Sequence, residues 1–320
     1  MSDEDRTSLF EPILGDGRPL LLILAGSLLF SGGFALFLAA TGEFLPHDIH
    51  YLGMSADDLC GIASCRVVDF MVHDRAAFGG TLAGLGVLYL WLTVFPLARG
   101  ERWAWWVWLV SALAGFASFL AYLGYGYLDT WHGVATLLLL PIFVTGLVRS
   151  RRLVTSSPPS SRPWRPPWWN GVVAPGTMGR AVLLFGAAAT AVGGLAILWV
   201  GVTDTFVPED LAFMRVTADQ LRDVNPRLVP LIAHDRAGFG GAVFTMGLTT
   251  FLSVWFARPS RHVHEAVAVA GAISLATAIG VHGFVGYTDI GHLLPALGAA
   301  LLLIFGLVLA APRQVARDDL

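Results

Sequence analysis

The chain of 320 residues has little charge, no lysine and two cysteines, and each scarcity excludes something. Charged residues make up 13% of it and apolar residues 55%, with a mean hydropathy of +0.67. A soluble chain carries about a quarter charged residues, so the composition excludes an ordinary soluble enzyme. With no lysine, all twenty positive charges are arginines, and no basic domain exists to support nucleic-acid binding. The two cysteines, Cys60 and Cys65, are too few for a thiol relay and are not spaced as Cys-x-x-Cys. Facing an oxidising compartment they fit a structural or regulatory disulfide. A cleaved signal peptide is not expected, because the first apolar stretch follows Asp3, Glu4 and Asp5 and is too long.

What is present is a set of long uncharged windows: 19–42, 76–98, 103–128, 130–148, 181–203, 237–257, 266–288 and 290–312, each of 19 to 26 residues. A bilayer core of about 30 Å needs about 20 helical residues. The expected fold class is therefore all-α, a polytopic membrane protein with eight transmembrane helices in two tandem four-helix bundles. Eight spans place both termini on one side. That side carries fourteen arginines, including Arg99, Arg102, Arg149, Arg151 and Arg152, against six on the other. The positive-inside rule puts the termini in the cytoplasm of a cell-membrane protein. Trp103, Trp105, Trp106 and Trp108 open the third window beside a cytoplasmic turn, as interfacial anchors do. The outer side holds fourteen acidic residues and six arginines, a net charge of −8.

The chain is an internal duplication. His73-Asp-Arg-Ala-Ala-Phe-Gly-Gly80 recurs as His234-Asp-Arg-Ala-Gly-Phe-Gly-Gly241, identical at seven of eight positions. In the preceding outer loops Thr41, Phe44, Pro46, Asp48, Ala56, Asp57 and Leu59 match Thr203, Phe206, Pro208, Asp210, Ala218, Asp219 and Leu221. Residues 1–152 and 180–320 form the halves, joined by a Pro-, Arg- and Trp-rich cytoplasmic linker over 153–179. Four spans per repeat make the halves parallel, related by an axis along the membrane normal. This disfavours a rocking-bundle carrier built from inverted repeats.

Four of the nine histidines are duplicated: His73 and His234 at the outer start of the second and sixth spans, His132 and His292 at the outer start of the fourth and eighth. In a four-helix bundle the second and fourth helices can face each other diagonally, and two imidazoles at one depth can grip a haem. The competing reading makes Asp74, Asp235, Asp129 and Asp289 helix caps, with Arg75 and Arg236 pairing to acids. A zinc or copper site that adds His47, His50, Asp57 and Asp58 is the rival ligand reading. Glu209 replaces His47 in the second half, which weakens it. His282 has no counterpart in the first half and is expected to be packed or hydrogen-bonded; His262 and His264 are expected in a solvated cytoplasmic turn.

Two four-span halves, outer histidines on alternate spans, a cysteine pair in the first outer loop, Thr41-Gly-Glu-Phe-Leu and Trp131-His-Gly-Val-Ala-Thr together resemble the haem A synthases. That resemblance implies an oxidoreductase in which His234 and His292 ligate a haem b, His73 and His132 face a substrate haem, and Arg75 and Arg236 meet propionates. Asp69 or Asp74 then handles protons. The family carries an acidic residue three positions before the first-half histidine and an arginine directly after it. Here position 70 is Phe and Asp74 intervenes before Arg75, an insertion shared by both halves. Two other functions fit the same residues: a non-catalytic electron relay between quinol and a respiratory-chain partner, and an assembly subunit whose loops bind another protein. Membrane lipid is the one partner common to all three, and the oligomeric state is not readable.

Overall fold

A computed structural model describes residues 14–63, 65–118, 127, 130–155, 166–169 and 171–311. Every regular element among them is helical. In chain order these are α1 (Arg18–Thr41), α2 (Pro46–Leu52), α3 (Ala56–Ala63), α4 (Arg66–Val94), a 3-10 turn (Leu97–Arg99), α5 (Arg102–Ser118), α6 (Thr130–Thr155), α7 (Pro175–Val202), α8 (Pro208–Met214), α9 (Ala218–Val224), α10 (Leu228–Phe256), α11 (Arg261–Val285) and α12 (Ile290–Ala310). Seven of them, all but α5 among the long helices, are long and apolar enough to cross a membrane. The third expected window is described as α5 up to Ser118; its remainder, apart from Tyr127, lies outside the described residues, as do Asp129 and residues 156–165 and 170 of the linker.

Helices α7 to α12 repeat α1 to α6, but the halves do not close separate bundles. α4 packs on α1 of its own half and on α11 of the other, and α10 packs correspondingly on α7 and on α5. α4 and α10 also meet each other, so the third helix of each half has crossed over. The repeated Gly-Gly explains why. A methyl group on Gly79 would lie 2.9 Å from the Gly32 carbonyl oxygen of α1, and one on Gly240 2.8 Å from that of Gly194 in α7. The second glycine of each pair faces the opposite half. A methyl on Gly80 would strike the Thr277 side chain of α11, and one on Gly241 would lie 2.5 Å from Ser118 of α5. In lipid, apolar side chains gain little by meeting one another, and close backbone approach through small residues drives helix association.

The central pair is the most enclosed. Within the apolar window of α4, 67% of residues are buried, against 17% in α6 and 6% in α12. The outer helices instead present Leu137, Leu138, Phe185, Trp199, Leu301 and Phe305, an apolar surface suited to lipid. At the loop end, the paired short helices cap the bundle and again exchange contacts. Arg66 donates to the Phe213 carbonyl, and Asn225 and Arg227 donate to the carbonyls of Leu52 and Tyr51.

Gly240→Val should therefore destabilise the protein by about 1–3 kcal/mol, because the obstacle is the α7 backbone and cannot move aside. Gly283→Ala, with nothing within 4 Å, should be neutral or stabilising. Thermal unfolding of both variants in detergent measures the difference, and equal midpoints would contradict this packing.

Candidate functional site

α4 begins at Arg66 and α10 at Leu228, so both His-Asp-Arg motifs lie more than a turn inside their helices. His73, Asp74, Arg75, His234 and Arg236 are all buried. A capping side chain must reach the unbonded amides of the first turn. Asp74 and Asp235 are past that point, which corrects the cap reading for them; their carboxylates meet arginines instead. Asp289 does cap α12, accepting from the His292 amide at 2.9 Å.

Each arginine joins the halves. Arg236 lies 3.4 Å from Asp74 of the other half and also binds Asp210 of its own. Arg75 lies 3.5 Å from Asp235 of the other half and 3.5 Å from Asp48 of its own. Both also donate to a backbone carbonyl at 3.0 Å, Arg236 to Thr205 and Arg75 to Glu43. Tyr287 donates to Asp210 at 2.9 Å and Tyr127 to Asp48 at 2.5 Å, completing a pair of equivalent networks. Buried carboxylates and guanidiniums are tolerated only when paired in this way.

The histidines also meet across the halves. His73 is joined by His282 and His292, one ligating atom of each lying within 4.8 Å of the others. His234 Nε2 is 3.0 Å from His132 Nδ1. The within-half pairs expected from diagonal packing, His73 with His132 and His234 with His292, are therefore replaced by cross-half sets. The cause is the exchange of α5 and α11. His282, expected to be only packed or hydrogen-bonded, is the third member of the trio. Its signal in the sequence was its position ten residues before His292, on the same end of the next helix over.

The hydrogen bonds assign the tautomers of the trio. His73 Nδ1 is 3.0 Å from Asp74 Oδ1, and His282 Nδ1 is 2.6 Å from the Tyr287 carbonyl. A carboxylate and a carbonyl only accept, so both Nδ1 atoms carry the proton. Tyr287 lies between the spans, and burial beside Asp210 pushes its phenol pKa up. The phenol keeps its proton and gives it to Asp210, so toward His292 Nδ1, 3.1 Å away, its oxygen accepts. All three Nε2 atoms are thus left with bare lone pairs, and those of His73 and His282 stand 3.2 Å apart. At that distance the two nitrogens share either a proton or a metal ion. Imidazoles fixed through Nδ1 to oxygen acceptors are the usual support of metal-ligating histidines.

A haem does not fit the trio as packed. Two imidazoles on opposite faces of an iron keep their nitrogens about 4 Å apart, twice a metal–nitrogen bond, with the macrocycle between them. Here the imidazole rings of His73, His282 and His292 touch, with centroids 4.5 to 5.4 Å apart. Arg75 and Arg236, assigned by the resemblance to propionates, are taken up by aspartates. Asp69 sits in the first turn of α4, part-exposed beside Arg66 and one turn before His73. His50, Asp57 and Asp58 are exposed; Ser55 donates to Asp58 through both its amide and hydroxyl, which holds that carboxyl low, so it serves a turn. His47 lies 3.4 Å from Asp48, in the first-half network. Cys60 and Cys65 form a disulfide at the entrance to α4. His262 is part-buried rather than free in solvent: Trp91 donates to it at 2.9 Å and Phe95 stacks on it.

Arg236→Met leaves Asp74 and Asp210 buried without their cation and should cost about 3–5 kcal/mol. Adding Asp74→Asn and Asp210→Asn should recover much of that loss in thermal unfolding. A single-variant loss below about 1 kcal/mol, the range of exposed pairs, would show that the guanidinium does not hold the halves together.

Comparison of the chain with protein-family models, with curated proteins and with solved structures found no match.

Proposed function

We propose that this chain is a multi-pass cell-membrane metalloprotein in which His73, His282 and His292 hold one first-row transition-metal ion near the outer face. The observation that carries the reading is the convergence of three imidazoles whose Nδ1 protons are all committed to oxygen acceptors. On this reading α5 and the rest of its uncharged window form the eighth span, and both termini are cytoplasmic. Imidazole donors suit iron, copper, zinc and nickel, and a three-histidine set leaves a coordination position open for Lewis-acid or redox chemistry.

The chemistry such a centre supplies is set by the ion, Lewis-acid for zinc and redox for iron or copper. The protein's own part is positional. Asp74 and Tyr287 fix the tautomers, and Arg236 holds both Asp74 and Asp210 in place. Burial of His73 and His282 keeps bulk water from two of the three ligands. In the equivalent first-half network His132 meets His234, and the sequence position that matches His282 is Tyr122, not a histidine.

Metal analysis of the purified full chain should find one transition-metal ion per protein. His282→Ala should lower it at least tenfold, while His132→Ala should leave it unchanged. This pair of variants separates the trio from a haem site, which by the resemblance uses His132 and has no role for His282. Metal retained in His282→Ala, or a Soret band lost in His132→Ala, would overturn the assignment.

A further inference from the structure

We propose that the cation reaches the trio from the loop end, through a cavity whose inner wall is Tyr287 and whose lining includes Glu209 and Asp289. The proposal rests on the metal reading of His73, His282 and His292. The cavity has a volume of about 400 Å³ and lies between α8 and the Gly286–Asp289 connection. Ala212 and Phe213 form its α8 side.

Tyr287 lines this space and is itself packed against a ligand. Its ring is stacked on Phe213, a wall of the cavity, with centroids 4.4 Å apart, and on His292, also at 4.4 Å. His292 is the most accessible of the three ligands, its side chain 18% exposed against 4% for His73. Among the described residues, Asp74, Arg236 and Asp210 occupy one side of the trio, and Phe70 and Val281 are buried in the apolar core beside it.

The partition follows a glycine. Gly286 ends α11 in the left-handed conformation, φ 74°, with open space where a side chain would be. On this proposal a rotation there moves Tyr287 aside during entry, and its return restores the hydrogen bonds to Asp210 and His292. Glu209 and Asp289 are both exposed. They sit on the face where fourteen acidic residues oppose six arginines, and a field of that sign concentrates cations at a cavity opening there.

The test is the rate of Co²⁺ uptake by the metal-free full chain in detergent, followed by the visible absorption of the bound ion. The Glu209→Gln/Asp289→Asn pair, in which Asn still caps α12, should load about tenfold more slowly and with weaker salt dependence. Its final content should stay at one ion per chain. Ala212→Trp, which fills the cavity from an exposed helix position, should slow loading at least as much without changing the final content. If the wild type loads and both variants load at its rate, the route is wrong and the metal reading stands. If the wild type takes up no Co²⁺, the metal reading itself fails, and the route with it.

Discussion

Two arginines inside an apolar bundle constrain everything around them. A guanidinium away from water must be matched by carboxylates, and here each is matched by one from its own half and one from the other. Because Arg75 and Arg236 sit on the two central helices, that requirement fixes how far α4 slides along α10. The depth of every neighbouring histidine follows. Removing one partner from such a pair is costly, whereas apolar contacts between lipid-bathed helices tolerate slippage. The crossed ion pairs specify the register, and the glycine faces supply the closeness that lets the pairs form.

The helical, membrane-embedded class was legible because charge scarcity and window length are one-dimensional properties. Duplication was legible for the same reason. What the chain does not display is which helix a residue faces when its neighbours come from another half. His-Asp-Arg-Ala-Ala-Phe-Gly-Gly reads identically whether Gly80 meets α5 or α11. Only the three-dimensional match with Thr277 decides it. This single ambiguity accounts for the histidines being expected in within-half pairs. His282 lacks a duplicate and so carries no signal in the repeat, although a site at the junction of two halves needs no internal symmetry. The capping assignment went wrong at Asp74 and Asp235 because helix starts were placed by the last charge before an apolar window. At Asp289 the same logic held, since no charged turn precedes α12 in the way Asp69 and Arg66 precede His73.

Duplication followed by divergence has produced two networks with the same frame and different contents. Each has an arginine, two aspartates and a tyrosine in matching places, and each brings together histidines from both halves. The frame is what burial of charge demands, so neither copy can lose it. The imidazoles are less constrained, and there the copies differ. One set has three nitrogens fixed toward a common point, while the other has two rings in mutual contact.

The charge count within the frame bears on what the trio holds. Around the trio Asp74 and Asp210 face Arg236, two carboxylates to one guanidinium, and neutral histidines add nothing. An excess of one negative charge in a site mostly shut from water is unfavourable unless a proton or another cation joins it. Protons on the imidazoles could supply the charge, but an imidazolium donates from both nitrogens and needs an acceptor at each. Among the hydrogen bonds of the trio, the Nδ1 atoms already have acceptors, while Nε2 of His73 and His282 find only each other. One proton can bridge that pair and balance the charge, but it leaves Nε2 of His292 uncommitted. On the proposed reading a metal ion would accept all three lone pairs, so it is the convergence of the imidazoles, not the charge count, that favours it.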